Sequence, residues 1–232
     1  MIVAVIPALD EEGSIGEVVV GIARHVDRVV VVDNGSRDAT PRLAAEAGAD
    51  VVREARRGYG SACLAGVARA RELGARVIVF MDADGSDDPD DAPRLLAPLA
   101  RGEAELALGV RTRASTEPGA MRPVQAFGNW LAPRLMRLAV GARYRDMPPF
   151  KAIQRETLDA LALTDTGMGY IIEMLLAAHS RGVRVAQVEV KCRARKAGES
   201  KISGTVIGTV RASAKITGAI AWHGLARRLG PR

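Results

Sequence analysis

Residues 81–91 read MDADGSDDPDD and directly follow the apolar run RVIVF, so six aspartates fall within the ten residues 82–91. Crowded carboxylates repel one another, and either open water or a bound cation relieves the repulsion. Asp82 and Asp84 stand at alternate positions, and alternate residues of an extended strand share a face. Two hard oxygen ligands, completed by water and diphosphate oxygens, suit Mg²⁺ or Mn²⁺. A D-x-D pair alone is common, so its context must decide. Asp87, Asp88, Asp90 and Asp91 read as solvating the loop and favouring the start of the next helix.

Other stretches offer complementary chemistry. RARKAGESKISG (193–204), with Lys191 just before it, gathers five basic residues around a Gly-containing turn. It reads as a mobile loop able to close on a diphosphate, against the plainer reading of a solvated charge run. RGYGSACLAG (57–66) puts small residues at a helix start, where backbone can approach a ligand and the helix N-terminus favours anions. A tight turn without a ligand explains it equally well. RYRDMPPFKAI places Arg145 and Asp146 before a Pro-Pro turn. A salt bridge between these two neighbours is the plain role for Asp146.

These residues need elements to hold them. The first hundred residues alternate β-branched apolar runs (2–6, 28–33, 49–53, 75–82) with helical segments (14–24, 39–48, 58–73 and after Pro89). Near-continuous apolar strands separated by helices indicate a mostly parallel sheet covered on both faces. Right-handed crossovers then give a Rossmann-like, doubly wound α/β fold with ligands at the carboxyl ends of strands. The polar motifs PALDEEGS, DNGSRD and DADGSDD all fall at such ends, with Ser14 and Asp38 at N-cap positions. Beyond residue 100, strands are expected at 105–111, 149–153 and 183–190, and helices at 124–140 and 170–182. No linker or repeat divides residues 1–232, so one domain is expected, with 1–110 as the donor half and 111–232 as the acceptor half.

Composition removes several classes. Residues 1–100 carry a net charge of −6 and residues 101–232 of +12, an asymmetry suited to a cation and an anion held side by side. Cys63 and Cys192 stand alone, which argues against a disulfide framework or zinc site and fits a reducing compartment. No run longer than 11 residues lacks Asp, Glu, Lys and Arg, short of the ~20 apolar residues of a spanning helix. The start of the chain lacks the pattern of a signal peptide. PALDEEGSIG has the wrong glycine spacing for a dinucleotide fingerprint. Stacking aromatics are absent beside the basic loop, so no nucleic-acid partner is expected.

Taken in order, VIPALDEEGSI, VVVVDNGSRDAT, RGYGSACLAG, VFMDADGSDDP, GVR, RDMPPFKAI, GYIIEML and RKAGESKISGT resemble the family 2 glycosyltransferases of the GT-A fold, nearest to the polyprenyl- and dolichyl-phosphate sugar synthases. The likeness spans residues 3–205. It implies that Pro7, Ala8, Asp10, Glu11, Asp33 and Gly58 line the site of a UDP- or GDP-linked sugar donor. It implies that Asp82 and Asp84 bind the nucleotide and the metal bridging its diphosphate, and that Arg195 and Lys201 clamp that diphosphate. Arg111, Arg122 and Arg145 would face the acceptor, with Glu173 supporting that side. Pro148-Pro149-Phe150 departs from the Ser-Gly-Phe or Gly-Pro-Phe of many relatives.

The reaction so implied is an inverting displacement onto a polyprenyl phosphate, which is already anionic and needs no strong base. A soluble enzyme acting on a hydroxyl of a small molecule or saccharide is the alternative, with Asp146 as base. On that scheme Asp146→Asn is harmless with a phosphate acceptor and severe with a hydroxyl one. A non-catalytic nucleotide-sugar binder is the third class. The expected location is cytoplasmic. A helix over 204–220 offers an apolar arc for peripheral contact with the cytoplasmic membrane face or for packing on the core, and a homo-oligomer stays open.

Overall fold

The computed structural model of the chain describes residues 1–121 and 123–195. Arg122, Lys201 and the helix expected over 204–220 lie outside the described residues. Seven strands form a single sheet: β1 (Ile2–Ala8), β2 (Arg28–Asp33), β3 (Asp50–Arg53), β4 (Val77–Phe80), β5 (Leu106–Val110), β6 (Lys151–Gln154) and β7 (Val185–Glu189). Their spatial order is β3-β2-β1-β4-β6-β5-β7. Only β6 runs antiparallel to its neighbours, β4 and β5. The chain is therefore a single, mostly parallel doubly wound domain, as the apolar runs require.

The helices are α1 (Ile15–Ala23), α2 (Thr40–Glu46), α3 (Tyr59–Glu72), α4 (Ala92–Ala100), α5 (Pro123–Val140), α6 (Arg155–Leu161) and α7 (Tyr170–Ser180), with a 3₁₀ turn at Pro89–Asp91. Period-2 alternation in β1 divides the core. Val3 and Val5 pack with Ala62, Val67, Leu158 and Leu175 of α3, α6 and α7. Ala4, Ile6 and Ala8 pack with Ile15, Val18 and Leu95 of α1 and α4. The short α6 was not expected from the sequence. Its seven residues carry one buried Leu per turn, Leu158 and Leu161, and it stops at Ala162 with φ 52°.

The order β2-β1-β4 sets the carboxyl ends of three strands side by side. Chain connection reverses direction between β1 and β4, the switch point where open α/β sheets leave a crevice.

Candidate active site

A cleft of about 270 Å³ opens at that switch point. Pro7, Ala8, Leu9 and Glu11 reach it from the end of β1, Asn34 from β2, and Asp82, Ala83 and Asp84 from β4. Arg57, Gly58, Tyr59 and Ala62 form the α3 side, while Met168 and Arg195 close it from late in the chain. Seven expected donor-site residues thus line one cavity: Pro7, Ala8, Glu11, Gly58, Asp82, Asp84 and Arg195.

Asp10 and Asp33 sit behind the lining. Asp10 adopts a left-handed backbone (φ 51°), donates its N–H to Ser36 Oγ at 3.0 Å and accepts Arg37 N–H at 2.8 Å. It stitches the β1 loop to the β2 loop. Asp33 is buried and accepts the Ser36 N–H at 2.8 Å. The next residue, Asn34, was missed. Its side-chain amide donates to the Glu54 and Arg56 carbonyls at 3.0 and 2.8 Å and accepts Gly58 N–H at 2.8 Å, which pins the wall between β3 and α3. The signal was its place in DNGS, directly after the strand-end aspartate.

The small residues at the start of α3 let a neighbouring loop pack closely. Gly60 N–H donates to Gly167 O at 3.1 Å and Ser61 N–H to Thr166 O at 3.0 Å, so these amides are already spent on backbone. A Cβ on Gly60 would lie 2.0 Å from Asp165 O, and one on Gly58 (φ 143°) 2.1 Å from Thr166 O. The close approach these two glycines permit is to the 165–167 loop, while Gly58 also borders the cleft. Gly60→Ala should cost about 1–3 kcal/mol by forcing that loop away. At about 2–4 °C per kcal/mol for a chain of this size, calorimetry would register the drop; an unchanged melting temperature would contradict this packing.

Glu173, in the first turn of α7, holds the same loop. Its carboxylate accepts Thr164 N–H at 3.0 Å, Thr164 Oγ1–H at 3.1 Å and Asp165 N–H at 2.8 Å. The residue therefore braces the segment that carries Met168 into the cleft.

The acidic loop departs most from expectation. Asp87, Asp88 and Asp91 do not solvate it; they are buried. Asp88 accepts from Arg193 at 2.7 Å and from Lys191 Nζ at 3.4 Å. Asp91 takes the Lys191 N–H at 2.7 Å and pairs with Arg94 at 3.1 Å. Only Asp90 is exposed, paired with Arg24 and His25. Ser14 spends its hydroxyl on the Ala83 carbonyl at 2.8 Å and caps no helix amide. Asp38 does act at its helix, taking the Thr40 N–H at 3.0 Å.

These anchors deliver Arg195. Its guanidinium spans the cleft, 2.8 and 3.0 Å from the two Glu11 oxygens and 2.9 Å from Asp84 Oδ2. Asp84 Oδ1 accepts the Ser86 N–H at 2.9 Å. Behind them stands Lys151, fully buried in β6, a functional neighbour that the apolar run PFKAI gave no reason to single out. Its Nζ donates to Pro149 O at 3.0 Å and lies 5.0 Å from the Phe80 ring. Burial pulls its pKa down, while Cys63, Asp82 and Asp87 pull the other way.

Asp82 is pushed up to about 8, first by loss of water and then by Asp84 and Asp87. Asp87 rises to about 6, again mainly by burial. From the ordinary carboxylate range of about 4 up to about 8, the folded state keeps protons that the unfolded chain has released, so stability falls as pH rises. The melting temperature of metal-free protein should decline from about pH 5 to about pH 8 and the Asp82 contribution should level off above. A rise across that interval would remove this account of the cluster.

On the other side of the acids, Arg111 and Asp146 form a buried pair. Arg111 Nε and N–η2 approach Asp146 Oδ2 and Oδ1 at 2.8 and 3.0 Å. The backbone N–H groups of Arg111 and Met147 add bonds at 3.1 and 2.7 Å. Arg145 is not its partner. That side chain is exposed, and its backbone N–H goes to Gln187 Oε1 at 2.7 Å.

The donor set fits a hard divalent cation as an incomplete shell. Among the described residues no three His, Cys, Asp or Glu side chains converge to hold an ion alone. Asp82 and Asp84 offer two carboxylates at the cleft, and Mg²⁺ is commonly held by one or two carboxylates plus substrate phosphates. Asp84 already has a guanidinium on it, which is where a cation is wanted.

Comparison with known proteins agrees with this geometry. The model of the family described as glycosyl transferase family 2 matches residues 3–176. An uncharacterized glycosyltransferase of Mycobacterium tuberculosis is 37% identical over 211 residues, covering 90% of this chain and 93% of its own. The undecaprenyl-phosphate mannosyltransferase of Micrococcus luteus is 31% identical over 213 residues, 87% of each chain. The crystal structure of glucosyl-3-phosphoglycerate synthase from M. tuberculosis with Mn²⁺, UDP and glucosyl-3-phosphoglycerate superposes with a TM-score of 0.74 at 26% identity, covering 94% of this chain and 79% of that one. The mostly parallel sheet with a cleft at its β1/β4 switch point is thus a GT-A fold, and the chain belongs to glycosyl transferase family 2 as a nucleotide-sugar-dependent hexosyltransferase.

Proposed function

We propose that the chain transfers a hexosyl group, with inversion and with the help of Mg²⁺ or Mn²⁺, from a UDP- or GDP-linked sugar to a polyprenyl phosphate. The observation that carries the acceptor class is the state of Asp146. Its carboxylate accepts four hydrogen bonds, three of them from Arg111 (two from the guanidinium, one from the backbone) and one from the Met147 N–H. Both carboxylate oxygens are thus committed to fixed donors rather than left for an acceptor hydroxyl, and a phosphate nucleophile requires no base. Asp146 then positions Arg111, whose charge attracts an anionic acceptor; Arg145 and Arg122 are assigned to the same side. The activity in the name of the Micrococcus mannosyltransferase supports this choice.

On the donor side, Pro7, Ala8, Glu11 and Asn34 would border the nucleoside, with Asp10 and Asp33 fixing the loops beneath it. Asp82 and Asp84 would hold the cation, which when bound offsets the charge gathering on the departing diphosphate. Arg195 would leave Asp84 for that diphosphate, joined by Lys201, and neutralise it with charge-assisted bonds.

Arg195 thereby plays two parts, and they separate experimentally. Arg195→Ala should raise the Mn²⁺ affinity of ligand-free protein about 10- to 100-fold, because a hydrogen bond to a charged group contributes about 1.5–3 kcal/mol. The same change should slow transfer. Tighter metal binding, read by electron paramagnetic resonance, is the telling half; unchanged affinity would mean that Arg195 does not compete for Asp84.

The function itself is tested by a thermal-shift panel of nucleotide sugars with and without Mn²⁺, followed by transfer to undecaprenyl phosphate, undecaprenol and 3-phosphoglycerate in detergent. A metal-dependent shift for one base, and product on the lipid phosphate alone, are expected. Product only on a hydroxyl acceptor would overturn the acceptor assignment.

A further inference from the structure

Among the described residues four large apolar side chains stay exposed: Val20, Phe127, Trp130 and Leu138. Three of them stand on α5. With Arg134 they recur at i, i+3, i+7 and i+11, which is one stripe of a helix. The Phe127 and Trp130 rings stack with centroids 5.8 Å apart. The Arg134 guanidinium lies 4.1 Å over the Trp130 ring and donates to the Trp130 carbonyl at 3.0 Å. Ala132 and Met136, on the opposite side, are buried. At 1.5 Å per residue the stripe runs about 16 Å.

Its charge is of one sign. Residues 123–140 contain Arg134 and Arg137, both exposed, and no acid. An ordinary water-facing helix mixes charges. One that lies in a lipid interface presents aromatic and aliphatic side chains to the acyl boundary and keeps arginines at the headgroups. The segment leading into α5 is also tied to the cleft: Cys192 N–H donates to Ser115 O, Glu117 N–H to Cys192 O, and the Glu117 carboxylate accepts Ala194 N–H, at 2.8, 2.8 and 2.9 Å.

We infer that α5 is a docking helix for a bilayer carrying anionic headgroups, with Phe127, Trp130 and Leu138 inserted and Arg134 and Arg137 on the lipid phosphates. The inference rests on the lipid-linked acceptor reading for its purpose, since it brings the acceptor side of the cleft to the membrane surface. Complementary charge commits the face to anionic lipid over a second copy of the chain, whose α5 would bring arginines against arginines.

The chain has two tryptophans, Trp130 and Trp222, so Trp222→Phe leaves Trp130 as the only reporter. In phosphatidylcholine vesicles with added phosphatidylglycerol and brominated acyl chains, its emission should shift to the blue and be quenched. By flotation, Arg134→Glu/Arg137→Glu and Phe127→Ser/Leu138→Ser should each weaken vesicle binding about tenfold or more, with thermal unfolding unchanged because the positions are exposed. Absent quenching, or binding unaltered in both double variants, overturns the inference. So does concentration-dependent self-association that Phe127→Ser abolishes, which would give the face to a second copy. The vesicle assay contains no substrate. Vesicle binding without transfer to polyprenyl phosphate would leave the docking helix and remove the acceptor reading; transfer in detergent without vesicle binding would do the reverse.

Discussion

Asp84→Ala is expected to abolish metal-dependent binding of the sugar donor while leaving the protein folded. Asp84 lines the cleft with one oxygen held by Ser86 N–H and the other facing Arg195. Losing an outer partner of a metal ligand typically costs about 10–100-fold in affinity, so losing a carboxylate that meets the cation directly should cost more than about a hundredfold. The fold should not suffer, because Asp84 raises the pKa of both Asp82 and Asp87 by repulsion, and its removal relieves that. Titration calorimetry with each nucleotide sugar, with and without Mn²⁺, reads the first effect, and a melting temperature at or above wild type reads the second. Metal-dependent binding that persists unchanged would mean the cation sits elsewhere.

The second large effect concerns Asp146, and it reverses the expectation drawn from its position beside Arg145. If Asp146 were a base reserved for hydroxyl acceptors, Asp146→Asn would be harmless with a phosphate. Instead it should destabilise the protein whatever the acceptor. Arg111 and Asp146 side chains are 12% and 4% exposed, and breaking a buried pair from one side costs about 3–5 kcal/mol. For a chain of this length that is about 6–20 °C in melting temperature. The double variant Arg111→Met/Asp146→Leu should recover much of the loss, because no uncompensated charge stays buried. Melting curves of Arg111→Met, Asp146→Leu and the double form the cycle. An Asp146→Asn protein as stable as wild type would show that the pair does not carry this load.

The reason the sequence suggested the wrong partner is geometric. Residues 145 and 146 lie outside any strand or helix, with Arg145 at a bend, and sequence adjacency there does not bring the two side chains together. Arg145 faces water while Asp146 faces inward, toward an arginine 35 residues earlier. The same limit hid the burial of Asp88 and Asp91, whose partners Lys191 and Arg193 lie about a hundred residues away. What depends on local pattern was legible. The apolar runs located all seven strands and the strand–helix alternation gave β1–β4 their parallel direction, whereas the antiparallel β6 was not foreseen. β4 ends at Phe80, so Asp82 and Asp84 meet through the turn after it rather than through strand alternation. What depends on tertiary approach was not. Nothing near RGYGSAC announces that residues 165–167 will occupy the first amides of α3, and nothing in PFKAI announces a lysine sealed behind the acids.

The antiparallel β6 has a consequence for how this chain is made. β4, which delivers the D-x-D pair, hydrogen-bonds to β1 on one side and to residues 151–154 on the other. Until a ribosome has synthesised those residues and they have emerged, β4 presents an open edge, the kind of row of unpaired amides that invites another strand. β5 cannot close the gap, since it pairs with β6 and β7 and never with β4. The first 110 residues, which look like a donor-binding unit, are thus an incomplete sheet whose functional strand lies at its unfinished border. Nascent chains would complete this sheet only after residues 151–154 have emerged, and the long separation between paired strands would make that step slow.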